Sequence, residues 1–393
     1  MSELQDPARQ AALSRLIWTF GFTAFAGALA TRITDPLVAD IAAEFVVSAG
    51  DAALLTTAFA LPYALIQPVL GPVGDALGKR RVINAGLFVM AIMLLGCALA
   101  PSFATLMVFR VLAGAAAGAV MPVTLAMIGD AVPMAQRQVA LSRLLMFAIV
   151  GQIMGGAVAG PVASVAGWRG VLALCAAIAL LAAVLLARAA RRGAPDPVGR
   201  FELTVALARY RGILTNPAAL TLYGAVSIEG ALVFGVFPFI APLLIARGIG
   251  GTAEAGLTIG AFGLGGLIYA VLAKQILARI GQGRMVMLGG ALAAGAFALL
   301  AIAGAFGVAA LAGLLLGMGF FMIHNSIQTR VTEVAPQARG SAVALHAFSF
   351  FSGQSLGPVL FGLGGGTIGM EVTLAVAAAG IVTLGLVLGR RSA

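Results

Sequence analysis

Isolated ionisable residues inside long apolar stretches are the part of this 393-residue sequence that could do chemistry. Glu229 is the clearest example, because it lies in the segment Tyr223-Gly-Ala-Val-Ser-Ile-Glu-Gly-Ala with no basic residue within a helical turn or two. A carboxyl group in apolar surroundings favours its neutral form, so Glu229 is a candidate for carrying a proton. The alternative is a permanently protonated Glu229 that hydrogen-bonds a neighbouring helix.

Arg32, Asp35 and Arg110 form a second set of charged residues in apolar segments. Arg32 and Asp35 are spaced i, i+3, which places both on one face of a helix. They are either an exchangeable pair that faces a cavity or a structural pair. Asp35 is thus a second candidate proton carrier, and Arg32 a candidate substrate-binding residue. Arg110 must face a cavity or a partner, unless its long side chain extends to the nearest polar interface.

Uncharged polar side chains accompany these charges. His324 and Asn325 begin a polar stretch that continues to Gln328 in an otherwise apolar segment. His324 either titrates near neutral pH, as a further proton candidate, or stays neutral and hydrogen-bonded. No other metal ligands lie near it in the sequence, so we expect no metal site. Gln152, Gln354 and Asn325 are expected either to contact a substrate or to bridge helices.

Phenylalanine is concentrated in three segments of the second half of the chain. The residues are Phe234, Phe237, Phe239, Phe320, Phe321, Phe348, Phe350 and Phe351. They predict an aromatic cavity that suits a lipophilic small molecule, with Phe234 in its wall; phenylalanines that face lipid are the alternative. The sequence has no nucleophile–base set, metal-ligand cluster or phosphate-binding loop, so we predict neither an enzyme nor a bound cofactor.

The composition indicates which elements position these residues. Hydrophobic residues make up 61% of the chain and charged residues 10%, whereas soluble domains average about 45–50% and about 25%. Crossing the hydrocarbon of a bilayer takes about 20 apolar helical residues. Twelve such stretches are predicted, at 13–37, 52–73, 82–100, 104–127, 142–164, 169–187, 213–240, 253–273, 285–304, 307–330, 341–363 and 370–388. The division at Gly304-Ala-Phe-Gly307 is made because 285–323 carries no charge and is too long for one span.

The net charge of +10 indicates orientation. With both termini placed in the cytoplasm, twenty Lys and Arg residues fall on the cytoplasmic side and only Arg169 and Arg247 fall outside. This asymmetry follows the positive-inside rule. We therefore predict a multi-pass protein of the bacterial inner membrane and no nucleic-acid partner.

An arginine- and proline-containing segment divides the spans into two sets of six. We place a first six-helix bundle at 1–190, a cytoplasmic linker loop at 191–211 and a second bundle at 212–393. The halves match at an offset of 202 or 203 residues, so that Pro36 corresponds to Pro238 and Gly151-Gln-Ile-Met-Gly155 to Gly353-Gln-Ser-Leu-Gly357. Duplicated six-span units are typical of transporters that rock two halves around a central site.

The loop after the second span carries a motif. It reads Gly71-Pro-Val-Gly74-Asp75-Ala-Leu-Gly78-Lys79-Arg80-Arg81, and it resembles motif A of the major facilitator superfamily, G-x-L-A-D-R-x-G-R-[RK]. Ala76 stands where that family has Arg. The resemblance implies a charge cluster, centred on Asp75, that latches the two bundles in one conformation.

Two further motifs extend the resemblance. Arg110-Val-Leu-Ala-Gly114 is similar to motif B, which implies a part for Arg110 in proton movement. The fifth span resembles motif C, associated with drug:proton antiporters, and the eleventh span repeats it. The motif C positions are Gly151, Gly155, Gly160, Gly353, Gly357 and Pro358. Close helix packing through small residues is the alternative interpretation of this motif.

These resemblances imply the major facilitator fold, an all-α membrane protein with twelve transmembrane helices in two pseudo-symmetric six-helix bundles. Within the superfamily the chain resembles the twelve-span drug:proton antiporter or arabinose-efflux-permease-like branch. We expect a monomeric secondary transporter that works by alternating access and exports small lipophilic compounds or drugs in exchange for protons. The alternatives are proton-coupled transport of a polar metabolite, such as a sugar or organic acid, and a non-transporting membrane receptor or scaffold.

Overall fold

The computed structural model describes residues 7–132, 134–191 and 203–391, and within these ranges the regular structure is helical. The helices are α1 (Pro7–Arg32), α2 (Val38–Phe45), α3 (Ala49–Leu77), α4 (Lys79–Ala98), α5 (Phe103–Gly118), α6 (Val120–Ala131), α7 (Met134–Ala190), α8 (Leu203–Leu214), α9 (Pro217–Gly235), α10 (Ile240–Ala246), α11 (Thr252–Ile302), α12 (Phe306–Val334), α13 (Arg339–Thr367) and α14 (Met370–Arg390). Within the same ranges, three short 3₁₀ helices, Asp35–Leu37, Phe237–Phe239 and Pro336–Ala338, lie between them.

Helical segments occupy the positions of the predicted spans. Nine helical stretches within the described ranges are long and apolar enough to cross a membrane. Two of them, in α7 and α11, each consist of two helices joined at a glycine with positive φ, Gly167 at 68° and Gly281 at 75°. With these two divided and α13 added, the long helical segments match the twelve predicted spans in order. The division at Gly304–Gly307 is confirmed, since α11 ends at Ile302 and α12 begins at Phe306.

The predicted repeat is visible in the backbone. Pro36 lies in the 3₁₀ helix that interrupts the first span, and Pro238 lies in the corresponding 3₁₀ helix of the seventh. Each is followed by a short helix, α2 or α10, that completes the crossing. Proline has no N–H and cannot continue the α-helical ladder, which accounts for the same break at both positions.

Helix contacts inside the two bundles also repeat. A Cβ atom added at Gly151 would overlap the carbonyl oxygen of Phe25, and one added at Gly353 would overlap that of Ser227. Phe25 and Ser227 are themselves separated by the repeat offset of 202 residues. Each glycine therefore permits α7 or α13 to lie directly against the first helix of its own bundle.

The two halves carry an ion pair at equivalent positions, with the acidic and the basic residue interchanged. Glu44 pairs with Arg169 at 2.6 Å in the first half, and Arg247 pairs with Glu371 at 3.1 Å in the second. Both arginines also donate to carbonyls at the end of a preceding helix, Ala98 in the first half and Leu300 in the second. Equivalent positions thus hold acid in one half and base in the other.

Each half buries its own apolar core, one formed mainly by residues between 17 and 186 and the other mainly by residues between 213 and 388. We name the end of the molecule at which α1 begins and α14 ends the terminal end, and the opposite end, where Gly167 lies, the distal end. The segment predicted as a linker loop is helical in its second part, where α8 begins at Leu203 and continues past the predicted boundary to Leu214, and 192–202 lie outside the described residues.

The two halves are in close contact at the distal end. Thr252 donates to Asp40 at 2.9 Å across the interface, and Thr57 donates to the carbonyl of Ser355 at 2.6 Å. A Cβ atom at Gly256 would lie 3.1 Å from the backbone of Gly160, so α7 and α11 meet with nothing between their main chains. The space between the halves is therefore closed at this end.

Candidate functional site

A cavity of about 780 Å³, including the space at its mouth, lies between the two halves. Leu145 and Gln328 line it toward the terminal end and are exposed, whereas Arg32 lines its deep end with 1% of its surface exposed. The described lining residues are Arg32, Leu145, Ile149, Gln152, Ile153, Phe234, Phe237, Ile259, Phe262, Phe320, Phe321, His324, Asn325, Gln328 and Phe350. The cavity is thus open toward the terminal end and closed toward the distal end.

Arg32 connects the halves at the deep end of the cavity. It ion-pairs with Asp35 at 3.3 Å in its own half and donates to the side-chain oxygen of Gln354 in the other half. Its guanidinium carbon also lies 4.1 Å from the ring centroid of Phe234, within the range of a cation–π contact. Asp35 accepts a second hydrogen bond from Thr56 at 2.6 Å and is fully buried. The pair is buried, and its cationic member lines the cavity.

Arg110 is enclosed by the first bundle and does not line the cavity. Its three nitrogens donate to the carbonyls of Leu55 and Ala30 and to the hydroxyl of Thr34, at 3.2 to 3.4 Å. Phe59 lies under the guanidinium at 4.3 Å. With these acceptors Arg110 joins the first, second and fourth spans, and it does not extend to a membrane interface.

Glu229 and His324 form a pair in the second half. His324 Nδ1 lies 2.8 Å from Glu229 Oε2, which joins the seventh span to the tenth. Glu229 is fully buried and its Oε1 has no hydrogen-bond partner, whereas His324 lines the cavity. Glu229 itself therefore does not line the cavity, and it is connected to the cavity by its hydrogen bond to the imidazole of His324.

A second histidine lies beside this pair. The ring of His346, in α13, is centred 5.3 Å from that of His324, and its Nε2 is buried without a partner. Among the described residues no group of three or more His, Cys, Asp or Glu could hold a metal ion.

Aromatic rings cover much of the cavity wall. Phe234 makes edge-to-face contacts with Phe262, Phe320 and Phe350, at centroid distances between 5.1 and 5.6 Å. The ring of His324 lies 4.8 Å from Phe320 and continues this surface. The arrangement offers flat apolar contacts to a ligand, with Arg32 at one side and His324 at the other.

A profile of the Major Facilitator Superfamily matches residues 20–358. The chain belongs to this superfamily. The MFS-type transporter YceJ of Bacillus subtilis is 26% identical over 358 residues, which cover 88% of each chain. The quinolone resistance protein NorA of Staphylococcus aureus is 29% identical over 177 residues, 43% of this chain and 46% of NorA. The chain is therefore a multi-pass membrane transporter of the major facilitator type.

Solved major facilitator structures share its fold. A bacterial homologue of the human lysosomal transporter Spinster, in an inward-facing and occupied conformation, superposes with a TM-score of 0.75 at 18% identity, covering 99% of this chain and 98% of the other. A point mutant of the peptide transporter POT gives a TM-score of 0.78 at 15% identity over 95% and 93% of the two chains. These matches establish the fold.

The motif A segment of this major facilitator protein lies at the terminal end, where α3 ends and α4 begins. Gly78 has a φ of 89° at the turn, and Lys79 ion-pairs with Asp130 of α6. Gly74 is buried against Val123, and Arg81 is exposed in the first turn of α4. Gly71 and Asp75 are helical in backbone, but the surroundings of both residues, and hence the predicted latch, lie outside the described part of the structure.

The motif C glycines of this transporter divide between two kinds of contact. Gly155 lies against Leu29 and Gly357 against Ala231, and each of these partners belongs to the first span of the same bundle. Gly160 instead lies against Thr252 of the opposite bundle. Pro358 is inside α13 and buried.

Some residues of the site were missed at the level of sequence. Phe262 was not singled out, because it lies in the eighth span outside the three phenylalanine-rich segments. His346 was not singled out either, although it is one of two histidines in the chain and lies within an apolar span, which was a sufficient signal. Outside the cavity, Asp130 at the terminal end was also missed, because its partner Lys79 is 51 residues away.

Proposed function

We propose that this major facilitator protein is a secondary active transporter that works by alternating access and exports small lipophilic compounds in exchange for protons. The observation that carries the proposal is the Glu229–His324 pair, which places a buried carboxyl group one side chain behind the wall of an aromatic cavity. The relationship to a quinolone resistance protein supports drug-like substrates.

The coupling follows from the two states of this pair. A carboxylate buried in an apolar protein requires a compensating positive charge, so Glu229 is either neutral or paired with protonated His324. Loss or gain of a proton changes what His324 presents to the cavity, and therefore changes the affinity for a substrate that touches it. Asp35 is the weaker candidate because Arg32 and Thr56 donate to its two oxygens, whereas Oε1 of Glu229 is unoccupied.

The distribution of basic residues supports an orientation with both termini in the cytoplasm of a bacterial cell. The terminal end is then cytoplasmic, and the cavity accepts substrate from the inside. The closed distal contacts, including Thr252 with Asp40, separate when the two bundles rock and release the substrate outside. The protein acts as a monomer, because each chain carries its own cavity.

Transport in proteoliposomes with an imposed pH gradient tests the coupling. A panel of fluorescent anionic, neutral and cationic lipophilic compounds supplies the substrates. We expect Glu229→Gln to abolish gradient-driven accumulation and to retain substrate exchange in the absence of a gradient. Glu254→Gln is the matched control, since Glu254 caps the first turn of α11 and a glutamine fills that position equally well. Full gradient-driven transport by both Glu229→Gln and Asp35→Asn would contradict the mechanism.

A polar metabolite, such as an organic acid or sugar, is the second candidate substrate. It is favoured by the polar side of the cavity, where Arg32, Gln152 and Asn325 are available to a ligand. Under this alternative, polar acids or sugars without an apolar body would compete with every transported compound of the panel, and Phe320→Leu would leave transport unchanged.

A further inference from the structure

The described wall of the cavity carries a net positive charge. Arg32 is a permanent cation in this wall, and none of the described lining residues is an aspartate or glutamate. Asp35 and Glu229, the carboxyl groups closest in the fold, are fully buried behind the wall. A cationic ligand in the cavity would therefore meet Arg32 and no carboxylate.

The buried charges behind the wall also sum to a positive charge. Arg32 and Arg110 are both buried in the first half, and Asp35 is the carboxylate that ion-pairs with Arg32. Arg110 bonds Thr34, the neighbour of Asp35, and has no ion-pair partner of its own among the described residues. Three buried charges thus leave one positive charge uncompensated, in a region where a counter-charge is strongly favoured.

Arg32 also has unused hydrogen-bonding capacity. A guanidinium has five N–H groups, and acceptors are present for two of them, at Asp35 and Gln354. Its Nε and the side-chain nitrogen of Gln354 are buried donors without an acceptor. Arg110, in contrast, has an acceptor at each of its three nitrogens. An incoming acceptor group would therefore bind at Arg32 and not at Arg110.

We propose that the preferred substrates are aromatic monoanions, whose carboxylate binds Arg32 at the deep end of the cavity while the ring packs among Phe234, Phe320 and Phe350. The phenylalanine rings supply apolar edge and face contacts, and the guanidinium offers the planar donor pair that matches a carboxylate. This proposal rests on the proposed transport function and specifies its substrate class.

Equilibrium binding to the purified protein at pH 7 tests the proposal with three probes of one shape. They are 2-naphthoate, which is anionic, 2-naphthylmethanol, which is neutral, and 2-naphthylmethylammonium, which is cationic. Isothermal titration calorimetry should show that the acid binds at least about tenfold more tightly than the alcohol, as expected for a charge-assisted hydrogen bond. The ammonium should bind more weakly than the alcohol.

Variants locate the preference. In Arg32→Gln the acid and alcohol should bind equally, with alcohol affinity retained as proof of a folded cavity. Arg32→Lys should keep part of the preference, because the charge remains and the planar fork is lost. Phe320→Ala should weaken the acid and the alcohol by the same factor. If Arg32→Gln does not fold, the comparison of Arg32→Lys with the unaltered protein provides the same test.

Tighter binding of the ammonium, an undiminished acid preference in both Arg32 variants, or no binding of the acid at millimolar concentration would each overturn the proposal. The assay needs no pH gradient, so its result is independent of proton coupling. Acid-selective binding together with transport that ignores the gradient would refute the proposed antiport and leave the substrate class intact. Gradient-driven transport of cationic compounds in preference to anionic ones would refute the proposed substrate class and leave the antiport intact.

Discussion

Alanine at the glycines between the two bundles should shift the protein toward opening of its distal end. At this end α7 and α11 touch through main-chain atoms, so an added methyl group has no space. A Cβ at Gly256 would lie 3.1 Å from three backbone atoms of Gly156 and Gly160, a few tenths of an ångström too close. A Cβ at Gly160 would overlap the carbonyl oxygen of Thr252. Both additions disfavour only the conformation in which these helices meet.

The size of the shift follows from the cost of overpacking, which is about 1–3 kcal/mol for one added methylene in a well-packed contact. If the distally open conformation starts at about 1% of molecules, a typical minor population, a cost of about 1 kcal/mol raises it to about 5% and about 3 kcal/mol to about 60%. Gly256→Ala belongs to the lower part of this range and Gly160→Ala to the upper part, because its overlap is more severe. Their effects should not add, because the two glycines touch.

Pulsed electron paramagnetic resonance between two spin labels measures this population. Val165 and Ile302 are suitable labelling positions, since they lie at the distal end of opposite bundles and are 90% and 76% exposed. We expect a longer distance to gain population in the order Gly295→Ala, Gly256→Ala, Gly160→Ala. Gly295 is the neutral control because nothing lies within 4 Å of its added Cβ.

A second control separates conformational bias from general destabilisation. Gly151→Ala strains the contact between α7 and Phe25 inside the first bundle. It should lower thermal stability without changing the distance distribution. The reasoning would be refuted if Gly151→Ala lengthened the distance as much as Gly160→Ala does, or if Gly160→Ala left it unchanged in a folded protein.

Two further predictions concern the terminal end and the cysteines. The hydroxyl of Tyr210 donates to the carbonyl of Pro68 at 2.9 Å. This carbonyl has no helical donor, because the residue four positions later is Pro72, which has no N–H. Burial raises the pKa of Tyr210, so the hydroxyl stays a donor at physiological pH. Tyr210→Phe should lower the unfolding free energy, measured by chemical denaturation, by about 1 kcal/mol. The loss should be smaller in a Pro72→Ala background, because the alanine N–H restores the helical hydrogen bond to Pro68. Equal losses in both backgrounds would contradict this account. Cys97 and Cys175 are free thiols with at most 1% of their surface exposed, so a maleimide should not modify either in the folded protein within the time that labels Val165→Cys fully.

The spans could be predicted from the sequence because crossing a bilayer imposes a length and an apolar composition that are local properties of the chain. The repeat was accessible for the same reason, since Pro36 and Pro238 mark the same local break in each half. The linker was harder to predict. Its second part lies in α8, which has twelve residues with two arginines among them and is too short to give the hydropathy signal of a span, so it is not distinguished from a loop.

The partners inside the site could not be predicted because they depend on how each helix is rotated against distant helices. Glu229 was recognisable as an isolated carboxyl, but its partner His324 is 95 residues away. Arg32 and Gln354 are separated by 322 residues. A single sequence gives the depth of each residue in its span, and the direction in which it points is fixed only when the bundles pack.

The placement of the two buried acid–base groups suggests how binding and coupling are separated in this transporter. Glu229 and His324 both belong to the second bundle, so their contact can persist while the bundles rock. Arg32 instead reaches from the first bundle to Gln354 and Phe234 of the second, so its contacts must change in every cycle. A substrate carboxylate that binds Arg32 competes with Gln354 for the guanidinium and so weakens one of the contacts that hold the distal end closed. Substrate binding thereby acts on the interface between the bundles, while the proton is held inside one of them.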